Sequence, residues 1–356
     1  DGRHHSGVLA RGRPLMSQHI KLYPSGRSVA CEDGDTVLVA LERAGYALPN
    51  NCRAGACGEC KVKVRSGQFD QGFVLDMALS AEERHQGYGL MCMAKPLSDE
   101  LEIEWGTEDA KPKLFPPRES QYAVLVDRIP RTPRITEFVL RPLGETMRFW
   151  PGQYVQIGDA SLGVPVRAYS IANAPRPDGE IRLQVTRVES GEGGRTSRWL
   201  HDDIQPGDSI RFSGPFGTFI GDPSVDTPVL CLAAGSGLAP ILSLTEAALR
   251  RGYKQPVTLM FSARSADELY DRGLMRYWET RFPNFRYLPT TTRESAPGIA
   301  HGRIPALLPS HFPDLGGHSV FIAGTTGFVD DCVAAAQALG AKPTLIHTEG
   351  FFTQAG

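Results

Sequence analysis

The stretch CRAGACGEC, residues 52–60, decides how the first third of this chain is interpreted. It places three thiols at the spacing C-x4-C-x2-C, and a fourth cysteine follows after a long gap. Three closely spaced thiols with a distant fourth form the plant-type pattern of a 2Fe–2S cluster. Gly55, Ala56 and Gly58 add little or no side-chain bulk between them, which lets the loop backbone approach a cluster closely. The pattern predicts Cys52, Cys57, Cys60 and Cys92 as the cluster ligands.

A zinc site or a set of disulfides fits the spacing of these thiols less well than a cluster does. A structural zinc site usually draws its ligands as two similar pairs, and Cys92 has no such partner nearby in the sequence. The chain contains seven cysteines, an odd number, and we expect no export signal, so a disulfide framework is not expected either. The three remaining cysteines are predicted to be small core residues: Cys31, Cys231 and Cys332.

Length and charge set the broad class of the protein. The chain has 356 residues, a formal net charge of −2 and a pI of about 6.5. This length suffices for two or three domains that each bury a core. The near-neutral charge gives no indication of nucleic acid binding. No apolar run approaches the roughly 20 residues that cross a bilayer, so we expect a cytoplasmic protein with no membrane partner.

Changes in composition along the chain predict three folded domains. Residues 16–106 hold all the clustered cysteines, whereas residues 120–224 consist of short apolar segments broken by Gly and Pro, which is typical of an antiparallel barrel. Over residues 225–356, strand patterns alternate with helical ones and predict a parallel sheet covered on both faces. The proline-rich stretch 107–119 is expected to be a linker, and residues 1–15 a tag or disordered leader.

The tetrapeptide Arg167-Ala168-Tyr169-Ser170 is the first of two elements that suit a flavin. It combines a cation, an aromatic ring and a hydroxyl donor at the expected end of a strand. The second element, residues 193–197 (GGRTS), leads into a helical pattern, and N–H groups at a helix start bind phosphate. Alone, the tetrapeptide fits an ordinary strand better. Its place between a cysteine domain and a nucleotide motif favours a flavin site.

Residues 229–240 (VLCLAAGSGLAP) predict a strand, a glycine turn and a helix in succession. Gly235 and Gly237 permit the tight turn, and Pro240 suits the first position of the helix. The exposed N–H groups and the helix dipole favour the pyrophosphate of a dinucleotide. A lone G-x-G fits a plain strand–turn–helix equally well, and the longer G-x-G-x-A-P pattern favours the nucleotide interpretation.

Together these motifs resemble one family. Residues 49–60 with residues 90–92 are similar to the ferredoxin domain fused to bacterial oxygenase reductases, and the two later motifs resemble the FAD and nucleotide sites of the ferredoxin–NADP reductase superfamily. The chain after Met16 therefore resembles a three-domain oxygenase reductase component. The resemblance implies a multidomain fold: an α+β ferredoxin (β-grasp) domain, an antiparallel β-barrel FAD domain and an α/β Rossmann-like nicotinamide domain.

The resemblance also implies roles for individual residues of the flavin site. Tyr169 would stack on the isoalloxazine ring, and Ser170 would approach its N5 atom. The residues implied to hold the pyrophosphate are Arg167, Gly194, Thr196 and Ser197.

The carboxyl end, residues 347–352 (HTEGFF), resembles the terminal acid-plus-aromatic segment of the same superfamily. Glu349 is the candidate acid. Phe351, with Phe352 in reserve, is the candidate aromatic that covers the flavin until nicotinamide displaces it. An apolar end packed on the core accounts for the segment almost as well.

Two features of the nucleotide domain bear on the choice and placement of the nicotinamide. Where the family usually has C-G-P, this chain has residues 323–325 (AGT), so the turn at Gly324 is kept but the thiol and the proline are absent. Hydride transfer depends on positioning more than on a thiol, so we expect activity with altered nicotinamide placement. Residues 261–270 (FSARSADELY) resemble NADH-using reductases, although Arg264 and Ser265 also suit a 2′-phosphate. We predict NADH rather than NADPH.

The order of the cofactors defines the predicted activity. A nicotinamide gives two electrons as hydride, a cluster accepts one, and a flavin does both, so we predict transfer from NADH through FAD and a 2Fe–2S cluster to a terminal oxygenase of the Rieske, di-iron or haem type. Residues 16–106 contain nine Lys or Arg and thirteen Asp or Glu, and this acidic surface is expected either to steer docking or simply to be solvated. The alternatives are a reductase for a non-oxygenase partner, such as a deoxysugar dehydratase, and a redox sensor or electron-carrier module.

Overall fold

The computed structural model describes residues 18–189, 191, 194–222 and 224–351. It divides into two compact units, the first ending at Lys113 and the second beginning at Leu114. This division falls inside the predicted linker, while the finer domain limits stay predictions. The helices in the described part of the chain are too short or too polar to span a bilayer.

The first unit is a mixed sheet with two short helices. Its elements are β1 (Gln18–Tyr23), β2 (Arg27–Cys31), α1 (Val37–Arg43), β3 (Lys61–Ser66), β4 (Phe69–Asp70), α2 (Ala81–His85), β5 (Tyr88–Leu90), β6 (Lys95–Pro96) and β7 (Glu100–Glu104). The main sheet has the order β2-β1-β7-β3-β5, and β4 pairs with β6. This α+β arrangement confirms the predicted β-grasp fold.

Alternation of apolar residues explains why the central strands of this sheet pair as they do. Strands β1 and β7 run parallel, and their register places Ile20 beside Leu101 and Leu22 beside Ile103. All four side chains are fully buried. Since successive residues of a strand point to opposite faces, both strands turn one apolar face toward α1, which begins after the N-cap Thr36.

The first half of the second unit is a curled antiparallel sheet. Its elements are β8 (Arg118–Pro130), β9 (Ile135–Pro142), β10 (Tyr154–Asp159), β11 (Val164–Ser170), β12 (Ile181–Thr186), α3 (Arg195–Asp202) and β13 (Ser209–Phe216). The strand order is β11-β10-β13-β8-β9-β12. In the part of the chain that the structure describes, the two edge strands meet at a bridge between Ile171 and Leu183. The predicted antiparallel barrel is therefore confirmed in a partly open form, a half-barrel.

The second half of this unit is a parallel sheet with helices between its strands. Its elements are β14 (Val229–Ala234), α4 (Leu238–Arg250), β15 (Val257–Ala263), α5 (Arg272–Arg281), β16 (Phe285–Thr291), β17 (Ala300–His301), α6 (Ile304–His311), β18 (Ser319–Thr325), α7 (Thr326–Ala338) and β19 (Ile346–Phe351). The order is β17-β16-β15-β14-β18-β19, and every neighbouring pair is parallel. Separate apolar clusters cover the two faces, which confirms the predicted α/β sheet.

Candidate functional site

The four predicted cluster ligands come together in the first unit. Cys52 and Cys57 lie on the loop between α1 and β3, Cys60 directly precedes β3, and Cys92 follows β5. The backbone N–H of Cys92 donates to the sulfur of Cys60 at 3.4 Å. Hydrogen bonds from the Cys57 thiol, and to a smaller extent from the Cys92 thiol, lower the pKa of the Cys52 thiol. Four converging thiols are the donor set that a 2Fe–2S cluster requires.

The loop backbone is shaped to surround sulfur atoms. Two N–H groups, those of Ala54 and Ala56, donate to the sulfur of Cys52 at 3.4 Å each. Gly55 has a φ of +68°, and a Cβ there would lie 2.9 Å from the carbonyl oxygen of Phe73. No larger residue fits that position without moving the backbone. The loop thus offers N–H donors to a thiolate-bound cluster, and Gly55 lets the loop pack closely against Phe73.

A buried acid on α1 anchors this loop and was not identified from the sequence. Glu42 is only 3% exposed and forms an ion pair with Arg53 at 2.5 Å between Oε1 and Nη1. Arg53 has a positive φ of 54°, which is rare for a side chain of this size. Asn50 also donates to Glu42, at 3.5 Å. The only sequence signal was an acid on the otherwise apolar face of α1.

Ser170 and Glu349, 179 positions apart in the chain, meet in the second unit. Ser170 ends β11, and its hydroxyl donates to Oε1 of Glu349 at 2.8 Å. Glu349 lies on β19 beside Ala323 of β18. Burial raises the pKa of Glu349 to about 7, and the Ser170 hydrogen bond opposes that rise. The pair can therefore hold or release a proton near neutral pH.

The other predicted flavin residues surround the end of β11. Tyr169 packs against the half-barrel core, and burial raises its pKa. Arg167 is partly exposed and donates to the carbonyl of Val166 at 2.8 Å. Phe351 ends β19 opposite Thr325. Gly193 and Phe352 lie outside the described residues.

The start of α3 is held in place by two hydroxyls that were expected to bind phosphate. The Thr196 hydroxyl donates to the carbonyl of Pro165 at 2.5 Å, and that of Ser197 to the carbonyl of Gly194 at 3.0 Å. A Cβ at Gly194 would lie 2.9 Å from that of Val188. Both hydroxyl hydrogens are thus used within the protein, where they position the start of α3.

The glycine turn opens a cavity of about 640 Å³ at the carboxyl ends of the parallel strands. Gly235 lines it with a φ of +57°, so a tight turn there requires glycine. Gly237 serves a different purpose from the one predicted, because its φ is ordinary and a Cβ would lie 2.2 Å from the carbonyl oxygen of Ala323. It permits close packing of α4 on β18. Pro240 is the third residue of α4 rather than the first.

Three further residues of the nucleotide prediction lie at the same strand ends. Arg264 lines the cavity and forms an ion pair with Glu268, which also accepts from the backbone N–H of Arg264 at 3.1 Å. A Cβ at Gly324 would lie 2.7 Å from the ring of Phe328, so glycine is needed for packing. Ala323, which replaces the usual cysteine, is fully buried.

Fold and site together define a reductase that joins a nicotinamide and a flavin to an iron–sulfur centre. Family models match the chain in the same order: a 2Fe-2S iron-sulfur cluster binding domain over residues 20–97, an oxidoreductase FAD-binding domain over residues 126–220 and an oxidoreductase NAD-binding domain over residues 231–334. The first match supports a cluster rather than structural zinc at the cysteines.

Similar proteins of known function show which kind of reductase this chain resembles. The chain is 35% identical to the aromatic O-demethylase reductase subunit of an Amycolatopsis species, with 92% of this chain and 96% of the relative covered. It is 32% identical to the phenol 2-monooxygenase reductase component DmpP of a Pseudomonas species, with 96% of each covered. The crystal structure of the Amycolatopsis cytochrome P450 reductase GcoB matches with a TM-score of 0.84 and 32% identity, over 94% of this chain and 99% of that one.

The chain belongs to the family of reductase components of oxygenase systems, which transfer electrons from NAD(P)H through FAD and a 2Fe–2S cluster to a terminal oxygenase.

Proposed function

We propose that this reductase takes electrons from NADH and delivers them to a haem monooxygenase. The similarity to a cytochrome P450 reductase over nearly the full length of both chains carries the proposal. The phenol and terephthalate systems, at 32% and 29% identity, are the competing relatives.

Each cofactor has a proposed set of protein partners. The cluster would be held by Cys52, Cys57, Cys60 and Cys92, because their thiols converge and backbone N–H groups point at two of the sulfurs. When bound, FAD supplies the change from two-electron to one-electron transfer. The residues proposed to hold it are Arg167, Tyr169, Ser170, Gly194, Thr196 and Ser197, the last two by positioning the start of α3.

The Ser170–Glu349 pair is proposed to hold and release a proton at the end of β11, on the Glu349 carboxyl. Because the pKa of Glu349 is raised to about 7, its carboxyl exists in both protonation states near neutral pH. Oε1 accepts the Ser170 hydrogen at 2.8 Å, so the charge on Glu349 controls the orientation of the hydroxyl. Loss of that charge frees the hydroxyl to donate elsewhere in the site.

The preference for NADH is proposed because the Arg264 side chain is already paired with Glu268. Nε of Arg264 donates to Glu268 at 3.0 Å, and the same carboxylate accepts from the Arg264 backbone. The 2′-phosphate of NADPH is an anion and has to compete with Glu268 for the Arg264 guanidinium. The 2′-hydroxyl of NADH is uncharged and needs no such cation.

Reconstitution with defined acceptors tests the choice of terminal component. The holoprotein is mixed anaerobically with NADH and, in separate samples, with a bacterial haem monooxygenase, a Rieske oxygenase and a di-iron hydroxylase, at matched concentrations. We expect haem reduction, read as the carbon monoxide complex, to be at least tenfold faster than reduction of the other two centres. Equal or faster reduction of the Rieske or di-iron protein would overturn the proposal.

A further inference from the structure

A buried tyrosine connects the glycine turn of the nucleotide cavity to the half-barrel. Tyr270 lies just before α5 and is only 4% exposed. Its hydroxyl oxygen lies 3.0 Å from the carbonyl oxygen of Gly235 and 3.2 Å from Oε1 of Gln184 on β12. Both neighbours are acceptors, so the single phenolic hydrogen is shared between them.

Two carboxylates fix the orientation of the Gln184 amide. Its Nε2 donates to Oδ2 of Asp271 at 2.9 Å and to Oε2 of Glu137 at 3.1 Å. An amide turned the other way would set its oxygen against both acids and leave its two hydrogens without these acceptors. Oε1 therefore faces Tyr270, and the tyrosine has to be the donor.

Arginine side chains hold those two carboxylates in turn. Arg131 bridges them, with 3.0 Å from Nη2 to Glu137 and 3.0 Å from Nη1 to Asp271. Arg182 reaches Glu137 at 3.1 Å. Glu137 and Asp271 are buried, so these contacts are charge-assisted and little screened. The Tyr270 hydroxyl is thus tied to a rigid network on the half-barrel.

Fixing the Gly235 carbonyl also fixes the direction of the next N–H group. A trans peptide is planar, and its C=O and N–H point in opposite directions. Because the Gly235 carbonyl is turned toward buried Tyr270, the N–H of Ser236 is turned away from it. Gly235 and Ala234 line the nucleotide cavity, whereas Tyr270 does not.

We propose that Tyr270 is a positioning residue for the nicotinamide dinucleotide. Its hydroxyl holds the glycine turn in the orientation in which N–H groups meet the pyrophosphate, and Gln184 ties that hydroxyl to the half-barrel. The inference rests on the proposed use of this cavity for the dinucleotide. It assigns part of the affinity for the dinucleotide to residues that do not touch it.

Binding of ADP-ribose to the FAD-loaded holoprotein tests the proposal, because this ligand carries the pyrophosphate but no nicotinamide. In Tyr270→Phe we expect the dissociation constant, measured by calorimetry, to rise about three- to tenfold, the effect of one lost hydrogen bond. The KM for NADH should rise by a similar factor, while kcat at saturating NADH stays within about twofold. A purely structural tyrosine would not produce this split.

Tyr253→Phe is the matched control. The Tyr253 hydroxyl donates to the carbonyl of Thr227 at 2.6 Å. Thr227 precedes β14, whereas the glycine turn follows that strand. We expect ADP-ribose affinity to be unchanged in this variant. An equal loss in both variants, or unchanged affinity in Tyr270→Phe, overturns the role of Tyr270. If wild-type holoprotein itself fails to bind ADP-ribose, the assignment of the cavity is wrong instead.

A second variant is needed if Tyr270→Phe cannot be obtained as a folded, FAD-loaded protein. Gln184→Met keeps the tyrosine hydroxyl but removes its link to the half-barrel. The phenolic hydrogen then goes wholly to the Gly235 carbonyl, so ADP-ribose affinity is expected to be at least that of wild type. A three- to tenfold loss of affinity in a folded, FAD-loaded Gln184→Met protein would then refute the proposal.

Discussion

Because Glu349 is a buried acid, it makes the stability of the second unit depend on pH. Replacing it with glutamine, which cannot ionise, should remove this dependence. Burial raises the pKa of its carboxyl from 4.5 to about 7, while the Ser170 hydrogen bond opposes the rise. A folded-state pKa above the unfolded value means that the protonated carboxyl stabilises the fold. That contribution is fully present below about pH 4.5 and is lost as the pH rises through about 7.

The size of the effect follows from the two pKa values. The difference between 4.5 and about 7 corresponds to roughly 3 kcal/mol, at about 1.4 kcal/mol per pKa unit. Between about pH 5.5 and pH 8 the linkage relation gives a loss of roughly 2 kcal/mol. Glu349→Gln cannot ionise, so the variant should lack this part of the loss.

Denaturant unfolding of both proteins across this pH range is the assay. We expect the free energy of unfolding of wild type, relative to Glu349→Gln, to fall by about 2 kcal/mol from pH 5.5 to pH 8. Groups common to both proteins cancel in this comparison. In Ser170→Ala the decline should extend to higher pH, because the hydrogen bond that lowers the Glu349 pKa is gone. A difference between wild type and Glu349→Gln that does not vary with pH would refute the reasoning.

Three further predictions concern the other parts of the site. Cys92→Ser should lose iron and the visible absorption of the cluster but retain FAD, whereas Cys332→Ala, a buried thiol on α7, should keep both; full iron content in Cys92→Ser contradicts the ligand assignment. In Glu268→Gln the ratio of kcat/KM for NADPH to that for NADH should rise severalfold, because Arg264 becomes available to a 2′-phosphate; an unchanged ratio removes Glu268 from cofactor selection. Gly237→Ala should destabilise the protein by about 1–3 kcal/mol in thermal unfolding, since its Cβ would lie 2.2 Å from a carbonyl oxygen of β18, and wild-type stability would show that the backbone adjusts freely.

Local patterns in the sequence were sufficient for the antiparallel half-barrel, the parallel sheet and the grouping of the clustered cysteines, which follow from spacing and periodicity over short segments. The β-grasp fold of the first unit was predicted from the family resemblance instead. The open edge of the half-barrel was not predictable in this way. It depends on how far β11 and β12 approach each other, and among the described residues the pairing beside these strands is the bridge between Ile171 and Leu183.

Contacts between distant segments account for what the sequence did not reveal. Ser170 and Glu349 were separate candidates, and only the pairing of β19 with β18 brings the acid to the end of β11. Gly237 was assigned to the turn because a close approach to β18 leaves no trace in a single segment. The contact of Tyr270 with Gln184 joins residues with no shared periodicity. Polar networks of this kind follow from tertiary packing alone.

The order of electron transfer is the central claim, and an anaerobic titration with NADH tests it most directly. Visible absorption follows the flavin, and electron paramagnetic resonance follows the cluster, which has an odd electron when reduced. We predict bleaching of the flavin together with a reduced-cluster signal, complete at about 1.5 NADH per chain because FAD takes two electrons and the cluster one. A flavin that is fully reduced by NADH while the cluster stays oxidised would contradict the account.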